Sequence, residues 1–348
     1  MPNTAPPPRA HAKPSLLSRL ALLAVSSLVA GLLAELTLRV WFPEIGKLRQ
    51  LVVSTDDERG FAPKPNVRLP FAGVFSPLSQ QIVWQTNADG LRHEGEIGRV
   101  AERFRVATYG DSETFGWSVA LEDSFQRRME AIDPRIEVLN FGVPGYNVTN
   151  VRDDLERSVP RFQPDLVIYL VNKNDFNEPV QFSPLSYSHV LLHLRFAWHF
   201  TVAKQLRLLT RDEPERLELF AREAERMTRY LEARDTPLVM GFLKWKNRES
   251  VRDHVPNARP VAASGDGHVP GAYAGSTQRF RRELVDVKAV LAGELKEDLH
   301  FTRSAHGKIA ALFCQVISGE AERSCIPPGW RREALTVGTT AAAAIPQR

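Results

Sequence analysis

The chain reads Phe104-Arg-Val-Ala-Thr-Tyr-Gly-Asp-Ser-Glu-Thr-Phe-Gly116 where its pattern changes to alternating strands and helices. The first six residues are mostly apolar, β-branched or aromatic and predict a strand that ends at Gly110. Asp111 and Ser112 favour a helix that starts directly after it. A serine at such a junction has its hydroxyl at the carboxyl edge of a sheet and its backbone N–H near a positive helix end. The tripeptide alone is not specific, because an ordinary helix cap has the same composition.

Three further strands follow, with a helix between the last two. The strands are Ile136-Glu-Val-Leu-Asn-Phe141, Asp165-Leu-Val-Ile-Tyr-Leu-Val171 and Pro237-Leu-Val-Met-Gly-Phe-Leu243. The helix is indicated by apolar residues spaced by three and four, namely Leu217, Phe220, Ala224, Met227 and Leu231. Strands that alternate with helices predict an α/β fold with a doubly wound, mainly parallel sheet. In such sheets the functional loops lie beyond the carboxyl ends of the strands.

The segments after the second and third strands carry hydrogen-bond donors. Asn140-Phe-Gly-Val-Pro-Gly145 has two glycines at a strand exit, where backbone N–H groups can approach a ligand. Asn172-Lys-Asn174-Asp175 brings a side-chain amide to the next exit. Because parallel strands share one carboxyl edge, we expect Ser112, Gly145 and Asn174 to converge there. Together they form the donor set that stabilises the oxyanion of a tetrahedral intermediate.

A histidine near the C-terminus completes the predicted site. Glu297-Asp298-Leu-His300 lies just before a predicted helix. A carboxylate before a histidine can accept the imidazole Nδ1–H and leave Nε2 free to take the serine proton. We therefore predict His300 as the base, with Asp298 or Glu297 as its acid. His306 competes for the role of base, but its place at the helix start favours a structural role.

These four segments, in this order, resemble the sequence blocks of the SGNH/GDSL hydrolase superfamily over about residues 104–316. Ser112 matches the serine of the Gly-Asp-Ser block, and Gly145 matches the glycine of the second block. Asn174 matches the asparagine of the third block, and His300 matches the histidine of the fourth.

Two positions depart from the family pattern. Asn172 stands where the third block usually begins with glycine. Glu297 stands three residues before the histidine, where the family usually has aspartate. Asp298 is one residue nearer to the histidine and is the preferred acid here. Some members of the superfamily orient the imidazole with a backbone carbonyl instead, so the acid is the least constrained member of the predicted set.

The resemblance implies a flavodoxin-like sheet and a serine esterase with Ser112 as nucleophile. The implied substrate is an ester, either an acyl group on an envelope carbohydrate or a lipid ester, and the resemblance implies no cofactor and no metal. Two alternatives stay open: an O-acetyltransferase of an envelope polysaccharide, and a catalytically silent SGNH-like binding module. The sequence contains no Gly-x-Gly-x-x-Gly loop, no Walker-type loop and no His-Glu-x-x-His.

The N-terminus predicts a membrane anchor. Residues 1–13 are Pro-rich and basic, and Leu20–Ala34 carries no charge. With Leu16, Leu17 and the Leu36–Phe42 segment added, the stretch is long enough to span a bilayer. The positive flank keeps the N-terminal end in the cytoplasm. We therefore expect a single-pass protein of the inner (cytoplasmic) membrane, with its catalytic domain facing the periplasm or the cell exterior. A buried amphipathic helix is the alternative.

The sequence predicts four parts. They are a cytoplasmic leader with the anchor over 1–45, an accessory segment with short strands over 46–100, the hydrolase-like domain over 101–325 with an insertion at 181–210, and a disordered tail over 326–348. The insertion is apolar and aromatic, which favours a core helix and leaves a lid or a membrane-facing helix as alternatives. Residues 247–280 are rich in Gly, Pro and Ala and predict an irregular loop. The accessory segment contains Asn87-Ala-Asp-Gly-Leu-Arg92, which together with the anchor resembles a bacterial, membrane-tethered subgroup of the superfamily.

Charge and cysteine content argue against nucleic-acid binding and against a zinc site. The net charge is +4, and Lys and Arg are interspersed with acids rather than clustered, which argues against nucleic acid as a partner. Cys314 and Cys325 lie close together and would tend to pair outside the cytoplasm, although the sequence leaves their pairing open. Neither cysteine has the spacing of a zinc ligand.

Overall fold

The structure of the chain, a computed structural model, is built around a parallel β-sheet. Its strands are β1 Val52–Ser54, β2 Phe61–Pro63, β3 Arg68–Phe71, β4 Ile82–Gln85, β5 Phe104–Gly110, β6 Ile136–Gly142, β7 Leu166–Val171, β8 Leu238–Phe242, β9 Arg259–Val261, β10 Glu283–Asp286, β11 Lys296–Glu297 and β12 His300–Phe301. The α-helices are α1 Leu16–Trp41, α2 Lys47–Leu51, α3 Ser112–Phe115, α4 Phe125–Ile132, α5 Val148–Phe162, α6 His189–Ala197, α7 Glu213–Glu232, α8 Val287–Val290 and α9 Arg303–Ser318. The residues described are 15–74, 78–98, 103–176, 188–197, 213–243, 259–261, 283–291, 294, 296–297, 300–319, 324–328 and 330.

The main sheet has the order β6-β5-β7-β8-β10-β9, and every neighbouring pair is parallel. Without its edge strand β9, this is the flavodoxin-like order in which the second strand lies outside the first. The sequence predicts β5 to β8 with ends within one residue of those observed. The predicted α/β fold with a parallel, doubly wound sheet is therefore confirmed.

Helices cover both faces of the sheet. Helices α5 and α7 pack with one face in a first core cluster, and α4 and α9 pack with the other face in a second cluster. Alternate residues of β7 belong to the two clusters: Val167 and Tyr169 to the first, Ile168 and Leu170 to the second. All six residues of β7 are buried, as expected for a strand that is covered on both faces.

The accessory segment forms two small antiparallel pairs, β1 with β2 and β3 with β4. Phe61, Phe71 and Trp84 come from these strands and are fully buried in the first core cluster, together with residues of the main sheet. Two of their rings contact aromatic residues in the loops after β5 and β6. Phe61 lies edge-on to Tyr146, and Trp84 lies beside Trp117. This segment therefore shares a hydrophobic core with the sheet.

The chain divides into two compact units: an N-terminal unit of 1–46 with 183–209, and a sheet unit of 47–182 with 210–348. In the N-terminal unit, α1 is the one described helix that is long and apolar enough to cross a membrane. Its most apolar window has a mean hydropathy of 2.0 and is unburied. Helix α6 packs along α1. Leu194 of α6 is 60% exposed, so α6 does not fit the expectation of a core helix.

Several sequence predictions concern segments of which the structure describes only a part. Of the insertion at 181–210, only 188–197 is described, and of the tail at 326–348, only 326–328 and 330 are described. Trp330 packs edge-on against Phe104. Of the predicted irregular loop at 247–280, only β9 is described, and the sequence missed both β9 and β10. Cys314 and Cys325 form a disulfide, which settles the pairing that the sequence left open.

Candidate active site

The loop that carries Ser112 is fixed at both ends, whereas Ser112 itself is accessible. Ser112 is the first residue of α3, and the Asp111 side chain caps this helix by accepting the Glu113 N–H at 2.9 Å. Within Phe104–Val119, Ser112 is the only residue that is not buried. In the first turn of a helix the backbone N–H has no partner from the helix itself. The hydroxyl and the N–H of Ser112 are therefore both placed to meet a ligand.

The chain brings Ser112 and His300 together from positions 188 residues apart. His300 Nε2 lies 2.8 Å from Ser112 Oγ, within hydrogen-bond distance. His300 lies on β12, and its ring stacks on Trp117, with centroids 5.0 Å apart and ring planes 20° from parallel. Trp117 is itself held by Trp84, whose indole N–H donates to the Trp117 carbonyl at 3.0 Å. The predicted nucleophile and base thus have the geometry that proton transfer requires.

The loops after β6 and β7 meet at the same edge of the sheet. Asn174 Nδ2 donates to the carbonyl of Tyr146 at 2.7 Å, which ties Asn174 to the residue next to Gly145. Gly145 has φ of 91°, a left-handed conformation that glycine adopts readily. Asn172 Nδ2 donates to Asp111 Oδ2 at 2.8 Å, which ties the same loop to the residue before Ser112.

The two glycines after β6 have different roles. A Cβ on Gly142 would lie 2.3 Å from the backbone nitrogen of Phe115, so glycine is required there for α3 to pack on β6. A Cβ on Gly145 would meet no atom closer than 3.7 Å. Of the two predicted strand-exit glycines, Gly142 therefore serves packing, and Gly145 is the one with open space beside it.

Two buried carboxyl groups lie beneath this edge. Asp175 accepts hydrogen bonds from the Tyr169 hydroxyl and from the Asn172 N–H, both at 2.6 Å. Burial raises the pKa of Asp175 well above its usual range, and nearby Asp111 raises it further. Burial also raises the pKa of Asp111, against the hydrogen bonds from Glu113, Asn172 and Asn174. These contacts hold the three loops in a fixed arrangement.

The predicted acid lies largely outside the described residues. Asp298 is not described, and Glu297 is described only as part of β11, where it pairs with His300 in the antiparallel ladder between β11 and β12. The choice between these two carboxyl groups therefore stays a prediction. His306, the competing histidine, is buried, and its Nδ1 accepts the Phe125 N–H at 3.1 Å. Burial lowers the pKa of His306 to about 3.

Glu113 is a site residue whose role the sequence interpretation missed. Its side chain is buried between α3 and the hairpin that carries His300. One carboxylate oxygen accepts the Phe301 N–H at 3.1 Å, and the other lies 3.5 Å from Lys296 Nζ. Burial raises the pKa of Glu113 to about 7, with Asp111 adding to the rise and Lys296 opposing it. The sequence feature that could have pointed to Glu113 is its position next to Ser112. Its contacts with Lys296 and Phe301 cannot be predicted from local sequence.

Arg92 is a second missed residue, and it comes from the accessory segment. Its guanidinium is buried and donates to the carbonyls of Phe115 and Gly116 and, at 2.6 Å, to that of Val119. The cation also lies over the Phe115 ring, 4.6 Å from its centroid. Burial lowers the pKa of Arg92 to about 9. Arg92 therefore holds the loop in which Trp117 lies, and Trp117 stacks on His300.

Among the described residues, no group of three or more His, Cys, Asp and Glu side chains could hold a metal ion. The described side chains at this edge of the sheet supply an imidazole, a hydroxyl and hydrogen-bond donors. The site that they form consists of Ser112 and His300, with Gly145 and Asn174 in the adjoining loops.

Comparisons with known proteins give similarity at the level of solved structures. No protein-family model matches the sequence, and no curated protein matches it. A lipolytic protein of the G-D-S-L family from Veillonella parvula is 13% identical, with a TM-score of 0.38, and the alignment covers 62% of this chain and 98% of that one. The psychrotrophic esterase EstA from a Pseudoalteromonas species is 10% identical, also with a TM-score of 0.38, over 62% of this chain and 96% of that one. The function proposed below rests on the side-chain geometry of this chain.

Proposed function

We propose that this protein is a serine esterase of the SGNH type, with Ser112 as nucleophile and His300 as general base. The observation that supports the proposal is the 2.8 Å contact between Ser112 Oγ and His300 Nε2 at the carboxyl edge of a parallel sheet. Residues on both sides of Ser112 are buried, so the accessible hydroxyl is held rather than mobile. A hydroxyl paired with an imidazole in this way is the arrangement of nucleophilic acyl transfer.

In the proposed reaction, Ser112 Oγ attacks the carbonyl carbon of an ester while His300 Nε2 takes the hydroxyl proton. The negative charge on the carbonyl oxygen is stabilised by the N–H groups of Ser112 and Gly145 and by the Asn174 amide. His300 then returns the proton to the leaving alcohol, which departs and leaves an acyl ester on Ser112. Water attacks that ester with His300 again as base, and the carboxylic acid and free Ser112 are released.

Asn174 must change partners to take part in this step. Its amide nitrogen carries two N–H groups, of which one donates to the Tyr146 carbonyl, and the Asp111 carboxyl also accepts from the amide. An oxyanion would compete with Asp111 for the second N–H. Asp111 retains its bonds from Glu113 and Asn172 in that case, so the exchange leaves its carboxyl hydrogen-bonded.

The proposal includes a membrane anchor, with the sheet unit on the outer side of the inner membrane. Helix α1 has the length and hydropathy of a membrane span. The basic flank before it favours a cytoplasmic N-terminus. The disulfide between Cys314 and Cys325 supports an oxidising compartment for the sheet unit. Esters of envelope carbohydrates or of lipids are the substrates that such a location would offer.

Replacement of the nucleophile tests the enzymatic proposal. In full-length protein held in detergent, we expect Ser112→Ala to abolish hydrolysis of p-nitrophenyl acetate and labelling by a fluorophosphonate probe. The matched control is Ser54→Ala, which removes an exposed serine on β1 and should leave both readouts unchanged. Full activity in Ser112→Ala would overturn the proposal. Folded wild-type protein that neither hydrolyses the ester nor takes the probe would support a silent binding module instead.

A further inference from the structure

The C-terminal half of α1 contains the only acidic residue of this helix, Glu35. The helix has 26 residues, or about 39 Å at about 1.5 Å per residue, and Glu35 lies about 9 Å before its last residue, Trp41. When α1 spans a bilayer, as proposed above, this carboxylate lies near the level where acyl chains meet headgroups. A carboxylate at that depth is unfavourable unless partners within the protein satisfy it.

The N-terminus of α6 supplies those partners. The Glu35 carboxylate accepts hydrogen bonds from the Ser188 hydroxyl at 2.8 Å and from the His189 and Val190 N–H groups at 2.9 and 3.1 Å. Arg39, one turn further along α1, donates to it at 2.7 Å. The first N–H groups of a helix have no partner within that helix, so these contacts satisfy both Glu35 and the start of α6.

Helix α6 also exposes apolar side chains next to those of α1. Leu191 and Leu194 lie one turn apart on α6 and are 41% and 60% exposed. On α1, Leu32 and Leu36 are each 61% exposed, in the stretch that flanks Glu35. The Phe42 ring, just after α1, lies edge-on to His193 of α6, with centroids 5.5 Å apart. Helix α6, which packs along α1, thus adds exposed apolar side chains to those of the proposed membrane span.

We infer that α6 is seated in the membrane beside the C-terminal half of α1, with lipid acyl chains covering Leu191 and Leu194 and with Glu35 fastening α6 to the anchor. The hydrogen bonds to Glu35 fix the depth of the start of α6, because Glu35 is part of the span. A helix of nine residues with exposed leucines gains free energy when lipid covers them. This inference rests on the anchor role proposed for α1 and is independent of the esterase proposal.

Site-directed fluorescence in vesicles tests this placement. Because both native cysteines are in a disulfide, a new cysteine can be labelled uniquely with an environment-sensitive dye. Three single variants of the full chain are compared in phosphatidylcholine and phosphatidylglycerol vesicles that contain lipids with a nitroxide on the upper acyl chain. Leu194→Cys reports on α6, Leu36→Cys on the anchor, and Arg222→Cys on an exposed position of the sheet unit.

We expect the label at residue 194 to be quenched about as strongly as the label at residue 36, and the label at 222 to be unquenched. A label at 194 that is quenched no more than that at 222, while 36 is quenched, would overturn the seat of α6 and leave the anchor intact. A blue-shifted but unquenched label at 194 would show that protein, such as a second copy of the chain, covers this face. Absence of quenching at 36 would overturn the anchor and with it this inference.

A separate substitution tests whether Glu35 fastens α6 to the anchor. Glu35→Leu removes the acceptor of the Ser188 hydroxyl and of the His189 and Val190 N–H groups. We expect it to lower quenching at residue 194 at least twofold while quenching at 36 is kept. Thr37→Leu is the matched control, because the Thr37 hydroxyl donates within α1 to the Leu33 carbonyl. Unchanged quenching at 194 in Glu35→Leu would overturn the fastening. Hydrolysis of soluble p-nitrophenyl acetate should stay at the wild-type rate in both variants, which separates this result from a loss of the esterase.

Discussion

At the scale of single residues, the site depends on how His300 is held at its distance from Ser112. The hydrogen bond between them is one link, and Glu113 supplies a second, through the Phe301 N–H and the Lys296 ammonium. Lys296 and Phe301 are paired in the ladder between β11 and β12, so Glu113 holds both strands of the hairpin at one point. Glu113, the residue next to Ser112, therefore positions the strand that carries His300.

The buried state of Glu113 makes the stability of the protein depend on pH. Its pKa is raised from 4.5 to about 7, so the folded state retains a proton that the unfolded state loses first. This group therefore contributes stability that is present below pH 4.5 and is lost as pH rises to about 7. The loss amounts to on the order of 3 kcal/mol, from about 1.4 kcal/mol per pKa unit.

Glu113→Gln removes this titration, which gives a specific expected result. The difference in unfolding free energy between the variant and the wild type should shift in favour of the variant as pH rises from 4.5 to 7. Urea titrations at half-unit steps of pH measure it. The difference is used because other groups also make stability depend on pH. The pKa of His306 is lowered, so its contribution to the stability of the protein is lost as pH falls below 6.5, and this contribution cancels between variant and wild type. A difference that is constant with pH would contradict the assignment.

At the scale of elements, the accessory segment supports the loops of the proposed active site. Trp84 of β4 holds the Trp117 carbonyl, and Arg92 holds three carbonyls of the loop after α3. The Tyr146 hydroxyl donates to the Phe61 carbonyl of β2 at 2.8 Å, which supports the loop beside Gly145. Two of the three loops of the site are thus braced by strands that precede the sheet in sequence.

Arg92→Lys tests this bracing. A lysine keeps the charge but lacks the planar fork of five donors that serves three carbonyls at once. We expect kcat for p-nitrophenyl acetate to fall about tenfold, because Trp117 and the stacked His300 lose part of their support. Fluorescence of the buried tryptophans should change as well. Arg68→Lys, at an exposed position of β3, is the matched control and should keep the wild-type rate. Equal rates in both variants would contradict the role of Arg92.

The sequence predicts those elements whose signal is local. Strands β5 to β8 are mostly apolar, and the sequence predicts their ends to within one residue. Helix α7 has an apolar face with the helical period, which predicts the helix. Strand β10 has only four residues, and β9 contains Pro260, which is tolerated because β9 is an edge strand. Neither strand has a pattern that distinguishes it from a loop.

The residues of the candidate site also fall into those that local sequence predicts and those that it does not. Ser112, Gly145, Asn174 and His300 follow predicted strands or precede a predicted helix, so their convergence could be expected from the topology of a parallel sheet. The roles of Glu113 and Arg92 depend on contacts that span 188 and 23 to 27 residues. Such contacts are set by tertiary packing, which no local pattern encodes.

At the scale of the whole molecule, the C-terminal part of the chain is joined to the sheet by packing and by one covalent link. Helix α9 packs against α4 in the second core cluster. The disulfide joins α9 at Cys314 to the segment at Cys325, whose backbone N–H donates to Asp133 at the end of α4 at 3.0 Å. Since β12 leads directly into α9, this packing also fixes the strand that carries His300.

Loss of the disulfide should therefore weaken the sheet unit without dismantling its site. The bond closes a loop between residues 11 apart in sequence, and a loop of that size contributes about 3 kcal/mol on the chain-entropy account. We expect the Cys314→Ala/Cys325→Ala double variant to lose about that much unfolding free energy in urea, and reduced wild type to match it. Ester hydrolysis at low temperature should remain, because neither cysteine contacts Ser112 or His300. A urea midpoint that does not move when the bond is reduced would contradict a stabilising role, since packing of α9 on α4 would then hold the C-terminal segment alone.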